Sequence, residues 1–397
     1  MDSCIFPVDS VFIDALRRAV GPAPGDTPAD RAQALLADAA QLAQLCSDCF
    51  WASLEQEEGR QVRGAIALCS PSASLLARSF TRPVPVSVKN LVELLTASPR
   101  SPLAVHGGAE GLEVWGIVDS EPEGGTRLRI AGNGKLLASR AGQVLALMHQ
   151  GEVSIPVASD EASLAQLVAR TLGMERALEQ HANVPGRLIR IVSTMIRHGH
   201  GGSLVLTLPE DDSWRSAVSF RFCFDEASAR VLYDSVRNFE TMADEAKRGY
   251  DDLVSGRTGC DSLITLRERF EAVSFLRGLS ESLFRRIGEL GLVDGAVVMD
   301  MELRLYGFGA KLLYGPEEFD VATLDAVTGR LRKHVPLAEL GGMRHQSAAR
   351  FVNANRACDV FVASQDGRLS MFTWADVLQG VAVVQHLEHF LWEQQEG

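Results

Sequence analysis

The spacing of apolar residues divides the first half of the chain into short helices and strands. Asp9 and Ser10 precede an amphipathic run through Val20 that predicts a capped helix, and helical spacing predicts another helix over about residues 29–54. Strand-like apolar runs follow at residues 64–69, 112–118, 126–130 and 135–139. The last two flank a Gly-Asn-Gly turn that is typical of a tight β-hairpin. Residues 1–158 are therefore expected to form a small mixed α/β domain, whose role the pattern leaves open.

The second half alternates strands with longer helices. Residues 159–197 favour helix, with a break near residues 183–186 that would form a hinge between the two halves. Strand-like runs lie at residues 201–206, 218–223, 295–299, 303–308, 360–364 and 369–372, and helical patterns lie at residues 226–249, 262–290, from about 345, and 374–394. Strands that alternate with helices form sheets that are at least partly parallel. We therefore expect residues 159–397 to form an α/β domain with a mixed central β-sheet flanked by helices and closed by a C-terminal helix.

Length and charge narrow the class of protein. With 397 residues, of which 46% are hydrophobic and 23% charged, the chain is long enough for two globular cores. Lys and Arg together number 39 against 51 Asp and Glu, which gives a net charge of −12. Such a chain repels a phosphate backbone unless its basic residues are gathered at one place. The charge therefore argues against general nucleic-acid binding, although it is compatible with a discrete nucleotide site.

The cysteines and the apolar runs favour a cytoplasmic location. Seven cysteines are an odd number and lack the spacing of a disulfide framework, which indicates a reducing compartment. Cys46 and Cys49 have the spacing of half a zinc site or a redox pair, but no second pair follows, so a packed helix is the better interpretation. No apolar run approaches the ~18 residues of a membrane span. We expect a protein that does not enter the membrane.

Two acidic positions of the second half are suited to holding a divalent cation. Asp294 stands directly before Gly295 and Ala296, whose small side chains would let a cation and a phosphate approach the backbone closely. Asp366 follows a later predicted strand and could supply a second metal ligand. An Asp-Gly pair is also a common turn, so this segment alone has a plainer interpretation.

A glycine loop ahead of a predicted helix is suited to binding phosphate. The Gly341-Gly342 pair would expose backbone N–H groups at the positive end of the helix dipole, and Arg344 would add a forked cation. Taken alone, an Arg-His pair at a helix start is often only a cap. Taken with the two acidic segments, the loop predicts a site for a nucleotide polyphosphate or phosphodiester.

These segments resemble the DisA-type diadenylate cyclases, which are marked by an Asp-Gly-Ala segment and by an Arg-His-Arg segment preceded by Gly-Thr. Residues 202–205 are similar to the family's early Gly-Ala-Leu-Ile strand, and residues 364–366 to its Ser-Glu-Glu segment. This resemblance covers about residues 185–375. The whole chain also resembles the divergent subfamily called probable sensor domain DACNV, including the N-terminal segments at residues 52–54, 57–60 and 115–118.

The resemblance implies a site that, in the cyclases, binds ATP with Mg²⁺ or Mn²⁺ and faces the site of a second protomer. A homo-oligomer is therefore among the implied partners, beside an adenine nucleotide or a cyclic dinucleotide. The implied nucleotide-binding residues are Gly202, Ser203, Leu204, Gly295, Ala296, Gly342, Met343, Arg344, His345, Gln346, Ser347 and Ser364, with Asp294 and Asp366 as metal ligands, and Asp294 and Arg344 as catalytic residues if the site is active.

Three departures from the cyclase pattern favour binding over turnover. Gln346 stands where the second Arg is expected, Met343 where Thr is expected, and Val293 where a His often precedes the acid. Gln346 can hydrogen-bond a phosphate but cannot neutralise a departing pyrophosphate. We therefore expect a nucleotide-binding sensor. The alternatives are an active diadenylate cyclase that makes cyclic di-AMP from two ATP with Mg²⁺ or Mn²⁺, and an interaction module that has lost the site, which the apolar Met343 would favour.

Overall fold

The protein forms two compact units, divided between Leu167 and Val168. The structure, a computed structural model, describes residues 8–20, 39–69, 77–99, 101–108, 111–118, 125–140, 143–149, 151–155, 184–209, 211–255 and 261–388. The predicted domain boundary at residue 158 lies outside these ranges. Within the described ranges, no helix combines the length and the apolar composition needed to cross a bilayer.

The structure describes three helices in the first unit, of which the first two were predicted and the third was not; residues 29–38 of the second predicted helix lie outside the described ranges. Their bounds are α1 (Ser10–Val20), α2 (Ala39–Leu54) and α3 (Val88–Ala97). The Asp9 carboxylate accepts a hydrogen bond of 2.8 Å from the Val11 backbone N–H, which confirms the predicted cap of α1. Cys46 and Cys49 are fully buried on α2, and burial raises the pKa of the Cys46 thiol to about 12. The pair is therefore inert core, as expected.

The first unit contains an eight-stranded mixed sheet and a two-stranded ribbon. The strands are β1 (Gln56–Glu57), β2 (Arg60–Gln61), β3 (Gly64–Leu68), β4 (Ala77–Pro85), β5 (Leu103–Gly108), β6 (Gly111–Val118), β7 (Thr126–Gly132), β8 (Lys135–Arg140), β9 (Gln143–His149) and β10 (Glu152–Ser154). The large sheet has the order β10-β9-β8-β7-β3-β5-β6-β4, and only the β3–β5 pair among these is parallel. Together with the three helices, it confirms the predicted mixed α/β fold.

A local hairpin ties this sheet to α2. Gly132 of β7 pairs with Lys135 of β8 across a two-residue turn, and Gly134 has a φ of +62°, which glycine adopts without strain. The Gly134 N–H donates a hydrogen bond of 2.9 Å to the Ser53 hydroxyl of α2. The helices and strands bury a main core that includes Phe12, Leu45 and Ile66, and a smaller separate cluster forms around Trp115.

The second unit contains a larger mixed sheet and four helices in the part that the structure describes. Its elements are α4 (Val184–Arg197), β11 (Gly202–Thr207), β12 (Val218–Ser219), β13 (Phe222–Cys223), α5 (Glu226–Val254), α6 (Asp261–Leu290), β14 (Ala296–Asp300), β15 (Leu305–Leu312), β16 (Asp320–Leu324), β17 (Leu331–Pro336), α7 (Met343–Ala354), β18 (Asp359–Ala363), β19 (Leu369–Ala375) and β20 (Gly380–Gln385). The strand order is β12-β15-β14-β11-β18-β19-β20-β16-β17, and β13 also pairs with β15. The β11–β14 and β16–β20 pairs are parallel, which confirms a mixed sheet flanked by helices.

The predicted C-terminal helix over residues 374–394 is wrong. β19 continues to Ala375, and β20 then inserts between β19 and β16. Val381, Val383 and Val384 are all buried there. A strand that has neighbours on both sides and is buried on both faces favours such a continuous run of β-branched residues. The hairpin of β16 and β17 was not predicted, and residues 389–397 lie outside the described ranges.

Helices α4 and α6 pack against each other through glycines. A Cβ atom on Gly288 of α6 would lie 2.5 Å from Cβ of Thr194 and 2.7 Å from the Ile191 carbonyl oxygen, both on α4. The Arg190 guanidinium of α4 forms an ion pair of 2.9 Å with Glu281 of α6. The close approach fixes the C-terminal ends of both helices relative to each other. The chain continues from α4 into β11 and from α6 into β14, and these two parallel strands begin at the same edge of the ten-stranded sheet.

Candidate functional site

An open cleft of about 690 Å³ lies at that edge of the sheet, beside the N-terminus of α7. We call it the α7 cleft. It lies where β11 and β14 begin and where β18 ends, so segments far apart in the chain meet there. Its lining consists of Asp294, Leu340, Gly341, Gly342, Met343, Arg344, His345, Val362, Ala363, Ser364, Gln365, Asp366, Arg368, Ser370, Gln385 and His386. The three segments singled out in the sequence therefore all contribute to one cleft.

The first turn of α7 presents backbone amides without a side-chain cap among the described residues. Gly341 has a φ of +127°, which a residue with a Cβ rarely adopts, and Gly342 takes the N-cap position with extended backbone. Nothing lies within 4 Å of the point where a Cβ on Gly342 would stand. An approaching anion thus meets free N–H groups and the positive end of the helix dipole.

Arg344 links three segments at the cleft. Its Nη2 atom lies 3.8 Å from Oδ1 of Asp294, and its Nη1 atom lies 3.5 Å from the His200 carbonyl oxygen. Gly201 has a φ of +69°, which favours glycine, and a Cβ there would lie 2.7 Å from Nη1 and so displace the guanidinium. The Asp294 side chain is 97% exposed. Arg344 is therefore held near the wall by weak contacts and keeps donors available for a ligand.

A second cation was not predicted from the sequence. Arg368 follows the turn after β18, and its Nε atom lies 3.0 Å from Oδ2 of Asp366. The turn is closed by the Ser364 N–H, which donates to the Arg368 carbonyl oxygen at 2.8 Å. Both arginine and acid are more than half exposed, so the pair is open to competition from a ligand. The signal available in the sequence was a cation two positions after Asp366.

His345 is half-buried in the first turn of α7. Its ring meets the Phe372 ring edge-on, with centroids 5.9 Å apart. Burial lowers the pKa of His345, an effect that the charge of Asp366 opposes and that of Arg368 reinforces. The neutral imidazole is therefore favoured, and it offers one donor and one acceptor to the cleft.

The floor of the cleft is a row of residues paired across three strands. Val362 of β18 pairs with Ser370 of β19, and Ser370 pairs with Gln385 of β20. Paired residues point to the same face of a sheet, so the three side chains lie side by side. We call them the floor row. Ser203 of β11 extends the row by one strand, because it pairs with Val362.

Several predicted binding residues lie outside the cleft lining. Gln346 is turned back onto the loop, where its amide donates to the Gly341 carbonyl oxygen at 3.1 Å, and the Ser347 hydroxyl hydrogen-bonds to Tyr314 at 2.7 Å. A Cβ on Gly295 would lie 2.6 Å from the carbonyl carbon of Gly309, so this glycine allows strand packing. The predicted residues outside the lining are Gly202, Ser203, Leu204, Gly295, Ala296, Gln346 and Ser347.

The remaining predicted residues come together in the cleft. They are Asp294, Gly342, Met343, Arg344, His345, Ser364 and Asp366. The two proposed metal ligands each lie near an arginine, and nowhere in the described ranges do three or more His, Cys, Asp or Glu side chains form a group suited to a metal ion. Asp294 and Asp366 therefore fit a cation only if a ligand's own oxygens complete its coordination, as is usual for Mg²⁺ with phosphates.

Fold and site together define a two-unit α/β protein whose second unit has a cleft suited to an anionic ligand. Comparison with known families gives a match in the first unit. Residues 31–119 match the family described as probable sensor domain DACNV. This range includes the three N-terminal segments that resembled the subfamily, at residues 52–54, 57–60 and 115–118. No curated protein and no solved structure matches the chain.

The match ends before the second unit begins. The predicted likeness of the whole chain to probable sensor domain DACNV is therefore matched at residues 31–119, and the likeness of residues 185–375 to diadenylate cyclases stays a prediction. The α7 cleft lies outside the matched range, so its function must be argued from its own residues.

Proposed function

We propose that this protein is a sensor whose second unit binds a nucleotide, through its phosphates, in the α7 cleft. The observation that carries the proposal is the convergence of two arginines, Arg344 and Arg368, on the uncapped N-terminus of α7. Forked guanidinium donors and helix N-terminal amides are the groups that proteins use most for phosphate oxygens.

The size and charge of the cleft favour a small phosphate ligand over a polymer. About 690 Å³ lies within the range of roughly 300–1,000 Å³ typical of small-molecule sites. The chain as a whole carries a net charge of −12, which would repel an extended nucleic acid. A nucleotide brings only a few negative charges, and these can sit entirely within reach of the two arginines.

Asp294 and Asp366 would hold a Mg²⁺ or Mn²⁺ ion together with the ligand's phosphates. The ion would neutralise phosphate charge that the arginines leave uncompensated. Its arrival would also relieve the repulsion between the two carboxylates and the phosphates. The ligand would bind two arrangements of the chain with different affinities, and the protein would respond by shifting toward the arrangement that binds the ligand more tightly. This proposal agrees with the match of the first unit to a probable sensor domain.

Calorimetry on the full chain tests the proposal. ATP, ADP, AMP, GTP and cyclic di-AMP are titrated with Mg²⁺, with Mn²⁺ and with EDTA. We expect at least one nucleotide to bind, and Arg344→Ala to weaken it by about tenfold or more, since a hydrogen bond to a charged group contributes roughly 1.5–3 kcal/mol. The matched control is Arg267→Ala on the exposed surface of α6, which should bind like the wild type. Wild-type protein that binds none of the five nucleotides would refute the proposal.

An active diadenylate cyclase is the second candidate, and the exposed carboxylate of Asp294 favours it. That acid is free to hold a cation against the α-phosphate of ATP, where the cation would neutralise the developing charge. The cyclase requires two facing sites and so a homo-oligomer. It predicts pyrophosphate and cyclic di-AMP from ATP with Mn²⁺, and loss of both in Asp294→Asn. Bound nucleotide without either product, at high protein concentration, would exclude the cyclase and leave the sensor.

A further inference from the structure

The floor row differs in chemistry from the phosphate-binding side of the cleft. None of its three members, Val362, Ser370 and Gln385, is charged, whereas Arg344 and Arg368 elsewhere in the lining are. Pairing across β18, β19 and β20 fixes their order as a buried apolar side chain, a hydroxyl and a carboxamide. A ligand in the cleft could therefore meet both charged and uncharged polar groups.

The carboxamide of Gln385 is available to a ligand. It is partly exposed at the end of β20, and in the part of the chain that the structure describes it makes no hydrogen bond. A carboxamide carries a donor and an acceptor side by side. Its neighbour Ser370, paired with it in register, adds a hydroxyl that can serve as either.

Apolar groups accompany these polar ones. Val362, the next member of the row, and Leu340 line the cleft but are 1% and 6% exposed, so they give a ligand little surface. Met343 also lines the cleft and is 72% exposed, so its apolar side chain is available to a ligand. An exposed apolar side chain in the same cleft as a donor–acceptor pair matches the requirements of a nucleobase, which has an apolar face and a polar edge.

We propose that the floor row is the nucleobase subsite of the α7 cleft and that Gln385 determines which base is accepted. The inference rests on the proposed function. Gln385 would form two hydrogen bonds with a base edge that presents a donor next to an acceptor, with Met343 against the base. A base without that edge would leave the carboxamide desolvated and without a hydrogen-bond partner. The free-energy cost of that unpaired group is how a neutral site discriminates strongly between ligands.

The test compares a ligand with its base-free counterpart. AMP and ribose 5-phosphate share the phosphate and the sugar, and both are titrated into the wild type, Gln385→Met and Arg344→Ala. Met preserves the length of the side chain and removes both hydrogen bonds. We expect Gln385→Met to weaken AMP binding by about tenfold and to leave ribose 5-phosphate unchanged, because two neutral hydrogen bonds contribute on that order. Arg344→Ala should weaken both ligands.

A control variant and the melting temperature guard against a folding defect. Gln61→Met changes an exposed glutamine of β2 in the first unit and should alter neither affinity. If the wild type binds AMP no more tightly than ribose 5-phosphate, or if Gln385→Met leaves AMP binding intact or weakens both ligands equally, the nucleobase subsite is refuted while phosphate binding stands. A wild type that binds neither ligand, nor any nucleotide of the calorimetric panel, refutes the proposed function itself.

Discussion

The Arg344 guanidinium lies 3.8 Å from the Asp294 carboxylate across two segments that are fifty positions apart in the chain. Because the acid is almost fully exposed, this is a solvent-screened pair of the kind that stabilises a fold by less than about 1 kcal/mol. Its consequence lies in ligand binding. In the proposed complex, the acid would compete with phosphate for the arginine unless a cation neutralised it.

Asp294→Asn should therefore change nucleotide binding in opposite directions with and without metal. In EDTA, we expect affinity to rise about threefold, since removing one exposed charge near the phosphate is equivalent to roughly 0.6 kcal/mol. With Mg²⁺ or Mn²⁺, the metal-dependent gain of the wild type should be lost. Calorimetry in the two buffers measures both effects. Glu289→Gln, which changes an exposed acid on α6, is the control. If Asp294→Asn shifts the affinity equally in both buffers, Asp294 does not compete with phosphate for Arg344.

His345 should make stability fall at mildly acidic pH. Its pKa is lowered from the ordinary value of 6.5 chiefly by burial, so the folded state binds fewer protons than the unfolded state. The contribution of neutral His345 to the free energy of unfolding is present above pH 6.5 and is lost as pH falls through the lowered folded-state pKa. We expect the drop in melting temperature between pH 7.5 and pH 5.5, followed by circular dichroism, to be smaller in His345→Gln than in the wild type. His334→Gln, on exposed β17, should behave like the wild type.

Asp359 should have the opposite pH dependence. It is buried at the start of β18, and burial raises its pKa from 3.8 to about 7, against a hydrogen bond from Thr373 that lowers it. The folded state therefore holds a proton that the unfolded state releases above pH 3.8. The stability that this proton provides is lost as pH rises from about 4 to 7.

Asp359→Asn preserves the shape of the protonated acid and removes that loss. We expect the free energy of unfolding of the variant to increase relative to that of the wild type as pH rises from 4 to 8. The increase should reach roughly 1–4 kcal/mol at pH 8, since one pKa unit corresponds to about 1.4 kcal/mol. Urea unfolding across that range measures the difference. Asp320→Asn, at the exposed start of β16, is the control. A difference that does not depend on pH would show that the carboxyl is already ionised in the fold.

Gly288 and Gly278 of α6 should respond differently to alanine. At Gly288, the new methyl group would meet the backbone and side chain of α4, so the helices must separate, at a cost of roughly 1–3 kcal/mol. At Gly278, nothing lies within 4 Å, and alanine should stabilise the helix by up to about 1 kcal/mol. Denaturant unfolding of both variants measures the contrast, and equal effects would mean that the α4–α6 contact is not close in solution.

Elements specified by neighbouring residues were predicted well. The cap of α1 needs only Asp9 beside the first turn, and the β7–β8 hairpin needs only the Asn-Gly turn between two apolar runs. β20 was misassigned as helix, because its Val-Ala-Val-Val run is apolar at every position, and such a run does not distinguish a central strand from a buried helix. Its neighbours β19 and β16 decide the outcome, and β16 lies more than fifty positions away.

The candidate site divides in the same way. Asp294, the Gly341-Gly342 loop and Arg344 carry their chemistry in short segments, so the sequence by itself determined that the second half has residues suited to phosphate and a cation. Tertiary structure alone decided that these segments share one cleft and that Arg368 and Gln385 join them, while Gln346 turns away. The physical reason is that strand register places Val362, Ser370 and Gln385 side by side, and register depends on hydrogen bonds between residues distant in the chain.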